Sequence, residues 1–144
     1  MNQKVVMTAA LEFDVSAKGF AGFSIYQRVA IRNIGLIPIL VRVTSIQPDL
    51  YHVNKPLVII APGSTVLIQC VADFPLAMIA FSHLIGAFLE HYTVTAAFVT
   101  GAQQLGEEGV ELEQAMAKVP AESQQKFKYN KAQNDFEPVE MMIA

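Results

Sequence analysis

The sequence predicts an antiparallel β-sandwich, and three observations carry that reading. Short, β-branched or alternating segments recur through the first two-thirds of the chain: SIYQRVAIRN over Ser24–Asn33, ILVRVTS over Ile39–Ser45, TVLIQCVA over Thr65–Ala72 and HYTVTAAFVT over His91–Thr100. Such segments fit a pleated, half-buried surface. Glycine- and proline-bearing turn signals separate them. Most of the gaps are too short for the helical crossover of roughly a dozen residues that a parallel pair needs, so no βαβ alternation is present.

Taken in order, Ala9–Val15 is the first candidate strand, followed by a turn at Lys18–Gly22. In Ser24–Asn33, Ile25, Gln27, Val29 and Ile31 share one face, while Tyr26, Arg28 and Arg32 share the other. Gly35 and Pro38 then break the pattern before Ile39–Ser45. Leu50–Val53 is a brief, edge-like strand, and Leu57–Ile60 leads into Ala61-Pro62-Gly63-Ser64. Proline presets φ there and glycine supplies φ > 0, so Gly63 is expected in the left-handed region. Period-two alternation assigns Ile25, Val29, Ile31, Val41, Val43, Val66, Ile68, Cys70, Val94 and Phe98 to the core. In Gly101–Lys118, Leu105, Leu112, Met116 and Val119 recur at helical spacing, and Pro120 ends the helix. Lys126–Asn130 alternates again as a closing strand. With 144 residues there is room for one domain. It is expected over residues 1–133, with residues 134–144 as a tail.

Composition narrows the function classes. A hydrophobic fraction of 53% and a mean hydropathy of +0.37 provide a large core and an apolar surplus of the kind that ends in an interface. The net charge of −3 and the absence of any Lys/Arg run disfavour nucleic acid as a partner. Cys70 is the single cysteine, which forbids an intrachain disulfide, and Glu12 and Asp14 interrupt the first apolar stretch, unlike a secretory signal. A cytoplasmic location is the expectation. Leu76–Leu89 is almost wholly apolar but bounded by Asp73 and Pro75 before and by Glu90 and His91 after. That is short of the ~20 residues of a membrane span. As a helix it would place Met78, Phe81, Leu84, Ile85, Phe88 and Leu89 on one broad face, a candidate homomeric interface.

No catalytic grouping emerges. Cys70 sits between apolar strand residues, and Ser64 follows Pro-Gly in a turn without a nucleophile-elbow pattern. His52, His83 and His91 lack metal-ligand spacing. Glu107, Glu108, Glu111 and Glu113 read as the solvated face of a helix, and Gly101, Gly106 and Gly109 are too scattered for a phosphate loop. The expectation is a non-enzymatic chain with no catalytic residue, cofactor or metal.

Several motifs carry a resemblance. Arg32-Asn33 is followed by Val41-Arg42-Val43-Thr44-Ser45, then by Pro48, Tyr51 and Val53, then by Ile59-Ile60-Ala61-Pro62-Gly63-Ser64. This succession resembles the major sperm protein domain, shared by nematode sperm cytoskeletal proteins and VAMP-associated proteins. The resemblance spans about residues 5–133 and is closest over Val41–Ser64. It implies a seven-stranded immunoglobulin-like antiparallel β-sandwich with a short helix or two in the connections. The VAMP-associated members bind short acidic peptides with two phenylalanines in a basic groove. Its positions correspond here to Thr44, Ser45, His91 and Thr93, with Arg42 nearby, so most of the groove's positive charge is missing. Stand-alone size instead resembles the sperm branch, which dimerises and in some cases forms motility filaments. The expected partners are therefore the chain itself, as a homodimer or higher assembly, and cytoskeletal accessory proteins. Adaptor-type recognition of short peptide motifs is the alternative.

Overall fold

Period-two alternation in Ser24–Asn33 becomes the third of the eleven strands among the described residues: Gln27, Val29, Ile31 and Asn33 are buried, while Arg28 and Arg32 are exposed. The computed structural model describes residues 3–5, 11–21, 24–73, 88–98, 109–120, 123–139 and 141–143. In chain order the strands are β1 (Gln3–Val5), β2 (Leu11–Ala21), β3 (Ser24–Asn33), β4 (Ile39–Ser45), β5 (Tyr51–Val53), β6 (Leu57–Ile60) and β7 (Thr65–Asp73). A 3-10 turn at Phe88–His91 precedes β8 (Tyr92–Phe98). Helix α1 (Gly109–Ala117), β9 (Gln124–Asn130), β10 (Asp135–Pro138) and β11 (Met141–Ile143) complete the chain.

The strands form two antiparallel sheets, ordered β2-β3-β7-β5 and β10-β9-β8-β4-β6, and β1 pairs with β11 in a separate ribbon. In chain order, β2-β3-β7-β5 and β4-β8-β9 reproduce the ABED and CFG sheets of the immunoglobulin fold. The molecule is an immunoglobulin-like β-sandwich. Nine of the described strands build it, against the seven expected, because β6 extends one edge of the second sheet and β10 the other.

Between the sheets lie Val29, Ile31, Val41, Val43, Tyr51, Ile60, Ile68, Cys70, Tyr92 and Val94, each at most 3% exposed. Val66 and Phe98 pack against them partly buried. The side chain of Ile25 lies outside the described residues, although its backbone pairs in register with Phe20 and Ala72. A smaller cluster sits on the outer face of the second sheet, where Leu112 and Met116 of α1 cover Leu40 and Ala97. This half-stripe gives the helix its reason to stay folded at only nine residues.

Three local expectations are corrected. Of the turn expected at Lys18–Gly22, Lys18–Ala21 is strand and Gly22 lies outside the described residues: β2 runs on to Ala21, and its pairing with β3 shifts once, between Val15 and Ala17, and then continues to Ala21 opposite Ser24. A bulge of this kind adds twist without ending the ladder, so Gly19 within the strand does not break it. The expected tail is part of the fold, because β10 pairs with β9 and Phe136, 5% exposed, packs against Phe13 with ring centroids 5.2 Å apart. Finally, the strand expected from His91 begins at Tyr92, with His91 closing the turn before it.

Gly63 has φ = 75°, and the amide of Ser64 donates to the carbonyl of Ala61 at 3.0 Å, which makes Ala61–Ser64 the expected turn. Asn33, fully buried, ties this turn to the β3–β4 loop. Its Nδ2 donates to the carbonyls of Ile37 (2.8 Å) and Ile60 (2.9 Å), and its Oδ1 accepts from the Gly35 amide at 2.9 Å. Its backbone carbonyl also accepts from the Gly63 amide at 2.7 Å.

Candidate functional site

Adjacent strands β4, β8 and β9 put alternate residues on the outer face of the second sheet, and the register fixes which ones align. Arg42 lies opposite Thr95, and Thr95 opposite Lys126. One step along, Thr44 lies opposite Thr93, and Thr93 opposite Lys128. Two cross-strand rows therefore run parallel, each with threonine at its centre and a lysine on β9. At a strand spacing of about 4.8 Å the three strands make a face roughly 10 Å across. Helix α1 closes one end of it, where Leu40 and Ala97 are covered.

The charges on this face are not equivalent. The Arg42 guanidinium donates to Glu113 Oε2 of α1 at 2.7 Å, with the two side chains 33% and 57% exposed. Lys126 and Lys128 are exposed, and no ion pair joins either to a carboxylate among the described residues. Beyond Lys128 the face continues into an open depression of about 440 Å³, lined among others by Glu90, Tyr129, Lys131 and Glu137. Burial, and then the nearby Glu90 charge, push the Tyr129 hydroxyl above its ordinary pKa. Its hydroxyl contacts Asn134 Oδ1 at 2.6 Å.

Of the groove residues named from the sequence, Arg42, Thr44 and Thr93 share this face, and two do not. Ser45 alternates away from Thr44, and its hydroxyl donates to the Tyr51 carbonyl at 3.0 Å. His91 lies off the strand, its ring stacked on Tyr51 with centroids 4.2 Å apart and planes 16° apart. Its Nδ1 is buried without a hydrogen-bond partner. Lys126 and Lys128 were missed as surface charges of the face. The alternation KFKYN does put both on one side of a strand, but only the β8–β9 pairing sets them beside Thr93 and Thr95.

Of the apolar face proposed over Leu76–Leu89, Met78, Phe81, Leu84 and Ile85 lie outside the described residues, as does the side chain of Phe88. Leu89 is 1% exposed and belongs to the core of this chain, so it offers no surface to a partner. Cys70 is also interior, and burial pushes its thiol up to about 12. Thiolate is therefore scarce at neutral pH. Among the described residues no three His, Cys, Asp or Glu side chains gather as metal ligands, and no helix is long and apolar enough to cross a membrane.

No family model matches the chain, and no curated protein matches it. Among solved structures, it is similar to a chain of the CsuC–CsuE chaperone–tip adhesion subunit pre-assembly complex from archaic chaperone-usher Csu pili of Acinetobacter baumannii. The two share 12% identity at a TM-score of 0.34, with 83% of this chain and 82% of that chain covered.

Proposed function

We propose that the chain is a non-enzymatic protein-interaction domain whose β4–β8–β9 face receives an extended, acidic segment of a partner protein. The observation that carries this reading is the pair of in-register rows, Arg42–Thr95–Lys126 and Thr44–Thr93–Lys128. Extended peptides suit such a surface because their side chains alternate at the spacing of the sheet beneath. Lysine ammonium groups supply charge-assisted hydrogen bonds to carboxylates, and the hydroxyls of exposed Thr44 and half-buried Thr93 can donate or accept between them, whereas Thr95, 8% exposed, only spaces Arg42 from Lys126. The resemblance to VAMP-associated proteins points to the same ligand class, with the cations moved one strand over.

The test is fluorescence anisotropy with labelled peptides carrying an Asp/Glu run beside two phenylalanines, against amide-substituted controls. Saturable, salt-sensitive binding of the acidic peptide is expected, falling at least tenfold in the Lys126→Glu/Lys128→Glu double variant. No binding, or equal binding by that variant, overturns the reading.

A second reading, self-association of the sperm-cytoskeletal kind, is favoured by β6. Among the edge strands of the two large sheets, β2 carries Glu12, Asp14 and a bulge between Val15 and Ala17, β10 carries Asp135, Glu137 and Pro138, and β5 is three residues long. Strand β6, Leu-Val-Ile-Ile, carries no charge and no bulge; Leu57 and Ile59 pack on α1, so what it can offer a second copy is its backbone edge. Sedimentation across concentration separates the two readings. A tight dimer without peptide binding supports the second, and a monomer that binds peptide supports the first.

A further inference from the structure

The β3–β4 loop crosses from one sheet to the other and caps one end of the sandwich. It presents three apolar side chains to solvent: Ile34 (54% exposed), Leu36 (94%) and Ile37 (41%). Their exposure is not the result of a loose loop. Asn33, buried beneath them, holds Gly35 and Ile37 by its side chain, and its amide and carbonyl bind Ser64 and Gly63 of the neighbouring turn. Loop and turn thus form one preorganised tip. No charged residue occurs between Arg32 and Arg42, or between Lys55 and Asp73, so the two connections that build the tip are free of charge. Arg32, exposed, stands at its base, with Glu12 opposite it on β2.

We infer that this tip inserts into the interfacial region of a lipid bilayer. Three arguments select that occupant over a protein. First, three side chains expose only a few hundred Å², well below the ~800 Å² that each partner contributes to a stable protein interface. Second, a side chain 94% exposed projects from the surface. A second copy of the same projecting tip cannot enclose it, whereas a fluid bilayer closes around it without needing a matched shape. Third, among the described residues, insertion to the depth of Leu36 carries no charge below the headgroups and leaves the Arg32 guanidinium at their level, where its long stem can reach phosphate. With Glu12 opposite, the base is nearly neutral, so apolar insertion rather than anionic lipid drives the contact. The inference is independent of peptide binding on the β4–β8–β9 face, which lies on the flat of the second sheet.

The test uses the full chain and small vesicles of phosphatidylcholine, with and without phosphatidylserine. Wild type is expected to co-float with both, and Leu36→Asp to lose about tenfold or more in partitioning, the equivalent of one buried leucine. Leu67→Asp, at a 47% exposed position on the sheet face, is the control and keeps wild-type flotation. An environment-sensitive dye on Leu36→Cys shifts to the blue on vesicle addition, and Cys70, being buried, leaves that label selective. Because Leu36 touches solvent almost everywhere, its variants keep the wild-type melting temperature. Failure of wild type to float with phosphatidylcholine, or equal flotation of Leu36→Asp, overturns the inference. So does an outcome in which Leu36→Asp floats normally but dissolves a dimer in sedimentation, which would make the tip a contact between copies.

Discussion

Replacing Asn33 by alanine removes three hydrogen bonds from one buried side chain, and their surroundings set the cost. The bond to the Ile60 carbonyl is fully buried, so water cannot replace the lost donor. Leaving that carbonyl unsatisfied costs about 1–3 kcal/mol. The bonds to the Ile37 carbonyl and from the Gly35 amide are partly buried, and water can reach both groups after small shifts. They contribute nearer ~0.5 kcal/mol each, for a total of about 3 kcal/mol. With a urea dependence near 2 kcal/mol per molar, the unfolding midpoint falls by ~1.5 M. Asn33→Asp makes the reasoning sharper. It keeps an acceptor for Gly35 but sets a carboxylate oxygen against two carbonyl oxygens, so it must destabilise more than alanine at neutral pH. Urea unfolding of the three proteins, followed by far-ultraviolet circular dichroism, decides the matter. An aspartate variant as stable as the alanine one would show that the Asn33 side chain is not a donor to Ile37 and Ile60.

Two further predictions concern the turn and the core. Gly63→Val should lower stability by about 1–3 kcal/mol through backbone strain alone, since φ is 75° and nothing lies within 4 Å of an added Cβ. An unchanged melting temperature would refute that. For Cys70 the folded pKa is raised by burial from 9.0 to about 12. The folded chain keeps its proton while the unfolded chain releases it, so this contribution is complete below pH 9.0 and is lost as pH rises towards about 12. Tyr51 and Tyr129 shift in the same direction, so the comparison must be with Cys70→Ala, whose alkaline loss of stability should be shallower than that of wild type. Parallel pH profiles would remove the buried thiol from the explanation.

Much of the architecture is legible in local pattern. A strand with one face in the core repeats every two residues, so Val29 and Ile31, Val41 and Val43, and Ile68 and Cys70 declare their burial without reference to any other strand. The Pro62-Gly63 turn is equally local, because its cause is the φ preference of two residues. What local pattern misjudged was continuation. Gly19 reads as a turn, yet pairing with Gln27, Tyr26 and Ile25 on β3 carries the strand past it. Residues 134–144 read as a tail, yet Phe136 packs on Phe13 in the core, and a partner so distant in sequence leaves no periodic trace.

The candidate site divides along the same line. The sequence by itself determined that Lys126 and Lys128 share one side of a strand, that Thr93 lies on a strand, and that Asn33 precedes an uncharged apolar loop. Only the tertiary structure decided that β9 lies beside β8 and β8 beside β4, which turns separate residues into the rows Arg42–Thr95–Lys126 and Thr44–Thr93–Lys128. It also decided that His91 and Ser45 turn away to Tyr51, and that Leu36 stands in solvent while Leu89 does not. The reason is physical: the facing direction of a side chain follows from the two-residue repeat of its own strand, whereas its neighbours follow from strand order and register, which the burial of the whole core selects.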